Sequence, residues 1–163
     1  MNNRFATMFA IGIGVIAIIV AGVLYMQRGA RVGIAGSILK VRTAALDENS
    51  SVVVLDFRFS NPANVNFVVR SVTVILEEPS GAQYEGQTVS EVDAKRLFEL
   101  MPLLGQKFNE TLLMRDKVPA HTSEDRMVAA RFEAPETRLL GRKRFLLRVE
   151  DVDGPISELA ENR

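Results

Sequence analysis

Few residues in this chain could do chemistry, and their spacing argues against most enzymes. His121 is the only histidine, and there is no cysteine. A lone imidazole cannot build a His-rich or Cys-containing metal site, and its place after Pro119-Ala120 predicts an exposed turn residue. No nucleophile-elbow or phosphate-loop sequence is present. Gly12-Ile13-Gly14 lies inside an apolar run and lacks the strand–turn–helix setting of a dinucleotide fingerprint. Glu150-Asp151-Val152-Asp153-Gly154 resembles a calcium loop only in part, because it lacks the third ligand and the closing Glu; it reads better as a turn ending a strand. Glu77-Glu78 and Asp47-Glu48 read as solvated strand ends. The sequence therefore predicts no catalytic residues, no metal site, no cofactor and no small-molecule substrate, and the chain is expected not to be an enzyme.

Two clusters suggest contact rather than catalysis. Arg138, Arg142, Lys143, Arg144 and Arg148 form a dense basic run. It could meet anionic headgroups or an acidic partner, or it could guard an edge strand against aggregation. Leu97, Phe98, Leu100, Met101, Leu103 and Leu104 are more apolar side chains than one short helix needs for docking, and they are the expected partner contact. Asn49-Ser50-Ser51 and Asn109-Glu110-Thr111 are formal glycosylation sequons with little weight, since such triplets arise by chance.

The elements that must position these residues are mostly strands. In Ser51 to Ser60, Val53, Leu55, Phe57 and Phe59 share one face while Asp56, Arg58 and Ser60 share the other, the pattern of a half-buried antiparallel strand. Asn61-Pro62-Ala63-Asn64 ends it. Further strands are expected over 36–45, 66–77, 111–115, 126–133 and 142–150. Ser90-Glu91-Val92-Asp93 predicts a helix N-cap, and Pro102 and Gly105 close that helix. A short helical turn is expected over 135–140. Six or seven strands separated by turns indicate an immunoglobulin- or fibronectin-like antiparallel β-sandwich with a helical insertion at about 90–104.

Ahead of this domain, 22 residues from Phe5 to Met26 carry no charge. As a helix they would span about 33 Å, enough for a bilayer core of about 30 Å. The run is longer than a signal-peptide apolar core and exits through Tyr25, Gln27 and Arg28, so an uncleaved anchor in the lipid bilayer is expected. Ala6, Ala10, Gly14, Ala17 and Ala21 form one small-residue stripe along it, suited to close helix packing or self-association. Positive charges on the C-terminal flank favour a cytoplasmic domain. The very short N-terminal tail favours export, and the exported side is expected. Acidic and basic residues number 20 each. A near-neutral domain gives no argument for nucleic acid. The expected division is an anchor at 1–28, a β-domain at 29–154 and a frayed tail at 155–163.

The order of an apolar strand, Asn61-Pro62, a second apolar strand, the Gly81 turn, Tyr84-Glu85-Gly86 and Val118-Pro119-Ala120 resembles the late-embryogenesis-abundant type 2 family, the water-stress and hypersensitive-response domain, over roughly residues 32–152. The resemblance implies a sandwich fold, no catalytic residues and, in several members, one N-terminal membrane helix. The helical insertion between Gly86 and Phe108 and the Ala63 after Asn61-Pro62 depart from the family pattern. Two functions are compatible with this reading. One is an accessory or scaffold module at a membrane surface with a protein partner; the other is a tethered stress-protective domain without a fixed partner.

Overall fold

The structure, a computed structural model, describes residues 3–27 and 33–162; within its first helix, side chains are described for residues 8, 9 and 11–23. The chain divides into two compact units, Met1–Arg31 and Val32–Arg163. In the first, α1 runs Asn3–Gln27. Among the described residues no helix is long and apolar enough to cross a membrane. The anchor expected over 5–26 extends onto side chains outside the described residues.

The second unit is mostly β. Its elements are β1 (Ala35–Ala45), β2 (Ser51–Ser60), β3 (Phe67–Glu77), β4 (Gln83–Thr88), α2 (Glu91–Leu100), a 3-10 turn (Pro102–Leu104), β5 (Glu110–Thr111), β6 (Lys117–Val118), β7 (Ser123–Phe132), α3 (Glu136–Leu140), β8 (Arg144–Asp151) and β9 (Ile156–Ala160). Neighbouring strands follow the order β1-β2-β7-β4-β3-β8-β9, with β5 beside β7 and β6 beside β3. Every pairing is antiparallel except β5 with β7. β4 changes partner midway: Gln83 to Gly86 pair with β3, then Gln87 and Thr88 pair with β7. The sheet curls until β1 lies against β9, where Ile34 N donates to Ser157 Oγ at 2.9 Å. The result is nearly barrel-like.

The period of two drives this curl. Val53, Leu55, Phe57 and Phe59 of β2 meet Phe67, Val74 and Leu76 of β3, Phe132 of β7, and Phe145, Leu147 and Val149 of β8 in one core. Phe57 stacks on Phe59 at 5.6 Å between centroids, and Phe132 tilts against Phe145 at 6.0 Å. Leu139 of α3 closes the core at one end.

Several expectations need correction. β2 is not half-buried: Val52, Val54 and Asp56, on its outer face, are buried too. The cause is α2, which packs on that face through Ala94, Leu97 and Phe98. The tail expected to fray after residue 154 instead forms β9, because Leu159 enters the core and the strand completes β8's second edge. That pairing also makes β8 an interior strand, so its charges do not guard an edge. β4 and β6 are additional strands, and the strand expected over 111–115 is only the two residues of β5.

Gly86 is where β4 passes over the core. A Cβ there would sit 2.5 Å from the Phe132 ring and 3.1 Å from the Ala130 Cβ. Gly86→Ala is expected to lower unfolding stability by about 1–3 kcal/mol through overpacking. Urea denaturation would measure this, and Phe132→Leu in the same chain should recover part of the loss by opening the space that the ring fills.

Candidate functional site

The insertion is held to the sheet by a buried polar clasp. Arg42 of β1 and Asp56 of β2 sit on the outer sheet face, with side chains 8% and 6% exposed, and pair at 2.6 Å. Arg42 Nη1 donates to the carbonyls of Leu104 and Gln106, each at 2.7 Å. Asn109 Nδ2 donates to the other Asp56 oxygen at 3.0 Å. The Phe98 and Phe108 rings lie over the guanidinium at 4.9 and 5.8 Å. One arginine thus satisfies the carbonyls where the 3-10 turn ends, and one aspartate fixes the strand that leaves the insertion. Within the clasp, the buried Arg42 Nε has no hydrogen-bond partner among the described residues.

A second contact fixes the start of α2. Ser90 is its N-cap, and Ser90 Oγ accepts from Asp93 N at 3.2 Å. Glu91, the first helical residue, receives Lys107 Nζ at 3.0 Å and Lys95 Nζ at 3.4 Å. Burial disfavours its charge. The Thr111 hydroxyl faces the carboxylate outside ordinary hydrogen-bond geometry, yet with the two lysines it outweighs burial and holds the Glu91 pKa down at about 2.

On this base the six expected contact residues separate. Leu104 is fully buried, and Leu97, Phe98 and Met101 pack against the outer-face cluster. Only Leu100 and Leu103 stand free, at 79% and 91% exposure. Beside them, Leu46, Val52, Val89, Leu97 and Leu100 line a mostly apolar groove of about 250 Å³, together with Asp93, Arg96 and Arg131. The sequence did not reveal Arg42, Asp56, Asn109 or the Leu46 wall. The available signal was a charge on each of two adjacent strands, which needs the β1–β2 register to become a pair.

The other candidates lie elsewhere. Each cation of the basic run meets a carboxylate: Arg138 meets Glu78, Arg142 meets Glu161 through two bonds at 2.6 and 2.8 Å, Lys143 and Arg144 share Glu77 at 2.6 Å, and Arg148 meets Glu158 at 3.1 Å. Hydrogen bonds from Lys143 and Arg144 hold the Glu77 carboxyl below its ordinary pKa. Arg138 also stacks on Tyr84 at 4.1 Å. Gly14, Ala17 and Ala21 are exposed on α1, whereas the side chains of Ala6 and Ala10 lie outside the described residues. His121 is exposed, with Nε2 2.7 Å from Asn64 Oδ1. Asp151 is buried, and its carboxylate accepts from Val68 N at 3.0 Å and Asp153 N at 2.8 Å, so it shapes a turn. Among the described residues no three His, Cys, Asp or Glu side chains gather as a metal site.

Two predictions follow from the clasp and the cap. Asp56→Ala strands a buried guanidinium and is expected to cost about 3–5 kcal/mol, while the paired change Arg42→Met with Asp56→Leu should be markedly less harmful; chemical denaturation of the three variants measures this. The folded pKa of Glu91 lies below its unfolded value of 4.5, so its interactions stabilise the fold at neutral pH and are lost as pH falls from about 4.5 toward 2. The contribution is on the order of 1–3 kcal/mol. Glu91→Gln should therefore be less stable than the parent at pH 7, and the gap should close in that acid window.

No protein-family model, no curated protein and no solved structure matches this chain.

Proposed function

We propose that this chain is a non-enzymatic, membrane-anchored binding module whose α2 and following 3-10 turn present the contact for a protein partner. The observation that carries this reading is the exposure of Leu100 and Leu103 on an insertion that is otherwise fixed in place. A surface that is already ordered loses little entropy on binding, and a rigid apolar ridge beside a groove suits a partner's apolar side chains. The anchor is supported by the uncharged 22-residue run from Phe5 to Met26 and by the helical course of α1.

The immunoglobulin- or fibronectin-like sandwich reading is supported by the pairing pattern. β1, β2 and β7 form one group, β3, β8 and β9 another, and β4 passes between them over a shared core. The resemblance to the late-embryogenesis-abundant type 2 family has one physical support. Asn61, from one of its motif fragments, is buried and donates through Nδ2 to Val118 O at 3.0 Å, in the other fragment.

The test is the mass and composition of the particle carrying the full chain after extraction from its native membrane in mild detergent. A partner in fixed ratio is expected with the parent chain. Leu100→Glu with Leu103→Glu should abolish it without lowering the unfolding midpoint, because both positions are exposed. A parent chain that runs alone would overturn the accessory reading and favour the protective one.

A further inference from the structure

The loops at the end of the β-domain where β1 begins are knitted together around the first residues of β3. His121 N donates to Asn61 O at 2.9 Å, Arg115 N to Val69 O at 2.7 Å and Val152 N to Val68 O at 3.0 Å. Asn61 Nδ2 donates to Val65 O at 2.8 Å, and Ile156 pairs with Glu150 at the β8–β9 turn. These loops expose Val65, Met114, Val152 and Ile156, at 52%, 67%, 48% and 60%. Arg115 and Lys117 are exposed between them, and neither forms an ion pair among the described residues. Asp116, which separates them, turns its carboxylate to Leu113 N at 2.8 Å. Arg115 and His121 are also the only described non-glycine residues with positive φ, at 71° and 57°. Uncommitted cations beside scattered large apolar side chains, on loops rather than in a groove, match an interface of anionic headgroups and acyl chains better than a shaped protein partner.

Covalent geometry supports the same occupant. Residues 28–34 are all that join the last residue of α1 to β1, and seven residues extend at most about 25 Å. We infer that this loop end, through Val65, Met114, Val152, Ile156, Arg115 and Lys117, is a contact surface for an anionic lipid bilayer. The inference rests on the anchored reading of residues 5–26.

The chain has no tryptophan, so single-Trp variants of the full chain can report depth. Val65→Trp, Val152→Trp, Leu103→Trp and Ile16→Trp would be reconstituted in phosphatidylcholine–phosphatidylglycerol vesicles with and without brominated acyl chains. Expected are blue-shifted, bromine-quenched emission at positions 16, 65 and 152 and unquenched emission at 103. Adding Arg115→Gln and Lys117→Gln should reduce quenching at 152 but not at 16. Quenching at 16 without quenching at 65 or 152 overturns the loop contact and leaves the anchor standing. Equal quenching at 103 overturns the assignment of this end. No quenching at 16 overturns the anchor and this inference with it.

Discussion

The constraint on which the β-domain rests is that β2 is buried on both faces. One face, Val53, Leu55, Phe57 and Phe59, belongs to the core enclosed by the curled sheet; the other, Val52, Val54 and Asp56, lies beneath the insertion. A strand flanked by β1 and β7 with both faces covered has little freedom of register, because a one-residue slip would exchange Asp56 with Leu55 or Phe57. The Arg42–Asp56 pair then acts as a register mark. Its desolvation is offset only where the carbonyls of Leu104 and Gln106 and the amide of Asn109 arrive together. Insertion and strand pairing therefore specify one another.

The legible parts of the fold were those in which side-chain periodicity reports burial directly. β2, β3, β7 and β8 alternate or run apolar over many residues, and α2 carries a start signal at Ser90 and a stop at Pro102. β4 was not legible because its residues are polar and mostly exposed; it is a strand only because β3 and β7 each offer it an edge. β9 was obscured because one of its two inward positions is Ser157, whose hydroxyl receives Ile34 N. Of the candidate site, the leucine-rich segment could be found in the sequence. Its division into docking and free residues could not, since that depends on which helix face meets β2. The clasp was hidden for a related reason: Arg42 and Asp56 sit on different strands and become partners only once the β1–β2 register is set.

Charge shows the same difference between composition and placement. The run from Arg138 to Arg148 is the densest basic segment in the sequence, yet in the fold it forms a set of short cation–carboxylate pairs. The exposed pair Arg148–Glu158 contributes little by itself, whereas Arg142–Glu161 and the Glu77 carboxylate are largely out of solvent; together the pairs remove most of the local field that an anionic partner would respond to. Arg115 and Lys117 make a much weaker sequence signal. They form no ion pair among the described residues, and the nearby Asp116 is turned to a backbone amide. What a cation can recruit depends on which carboxylates the fold has already placed against it.

The same reasoning distinguishes the two exposed leucines from ordinary surface apolar residues. Docking of the insertion is achieved by Ala94 and Leu104, which are fully buried, by Leu97, Phe98 and Met101, which are partly so, and by the Arg42–Asp56 clasp. Leu100 and Leu103 add little to that docking, so packing alone does not require them to be apolar. A single exposed leucine needs no explanation. Two on an insertion held in place, with Leu100 also lining an apolar groove, leave apolar area whose hydration is unfavourable and whose setting is already ordered. Covering it would remove apolar area from water with little further ordering of the domain, the arrangement that favours association over stability.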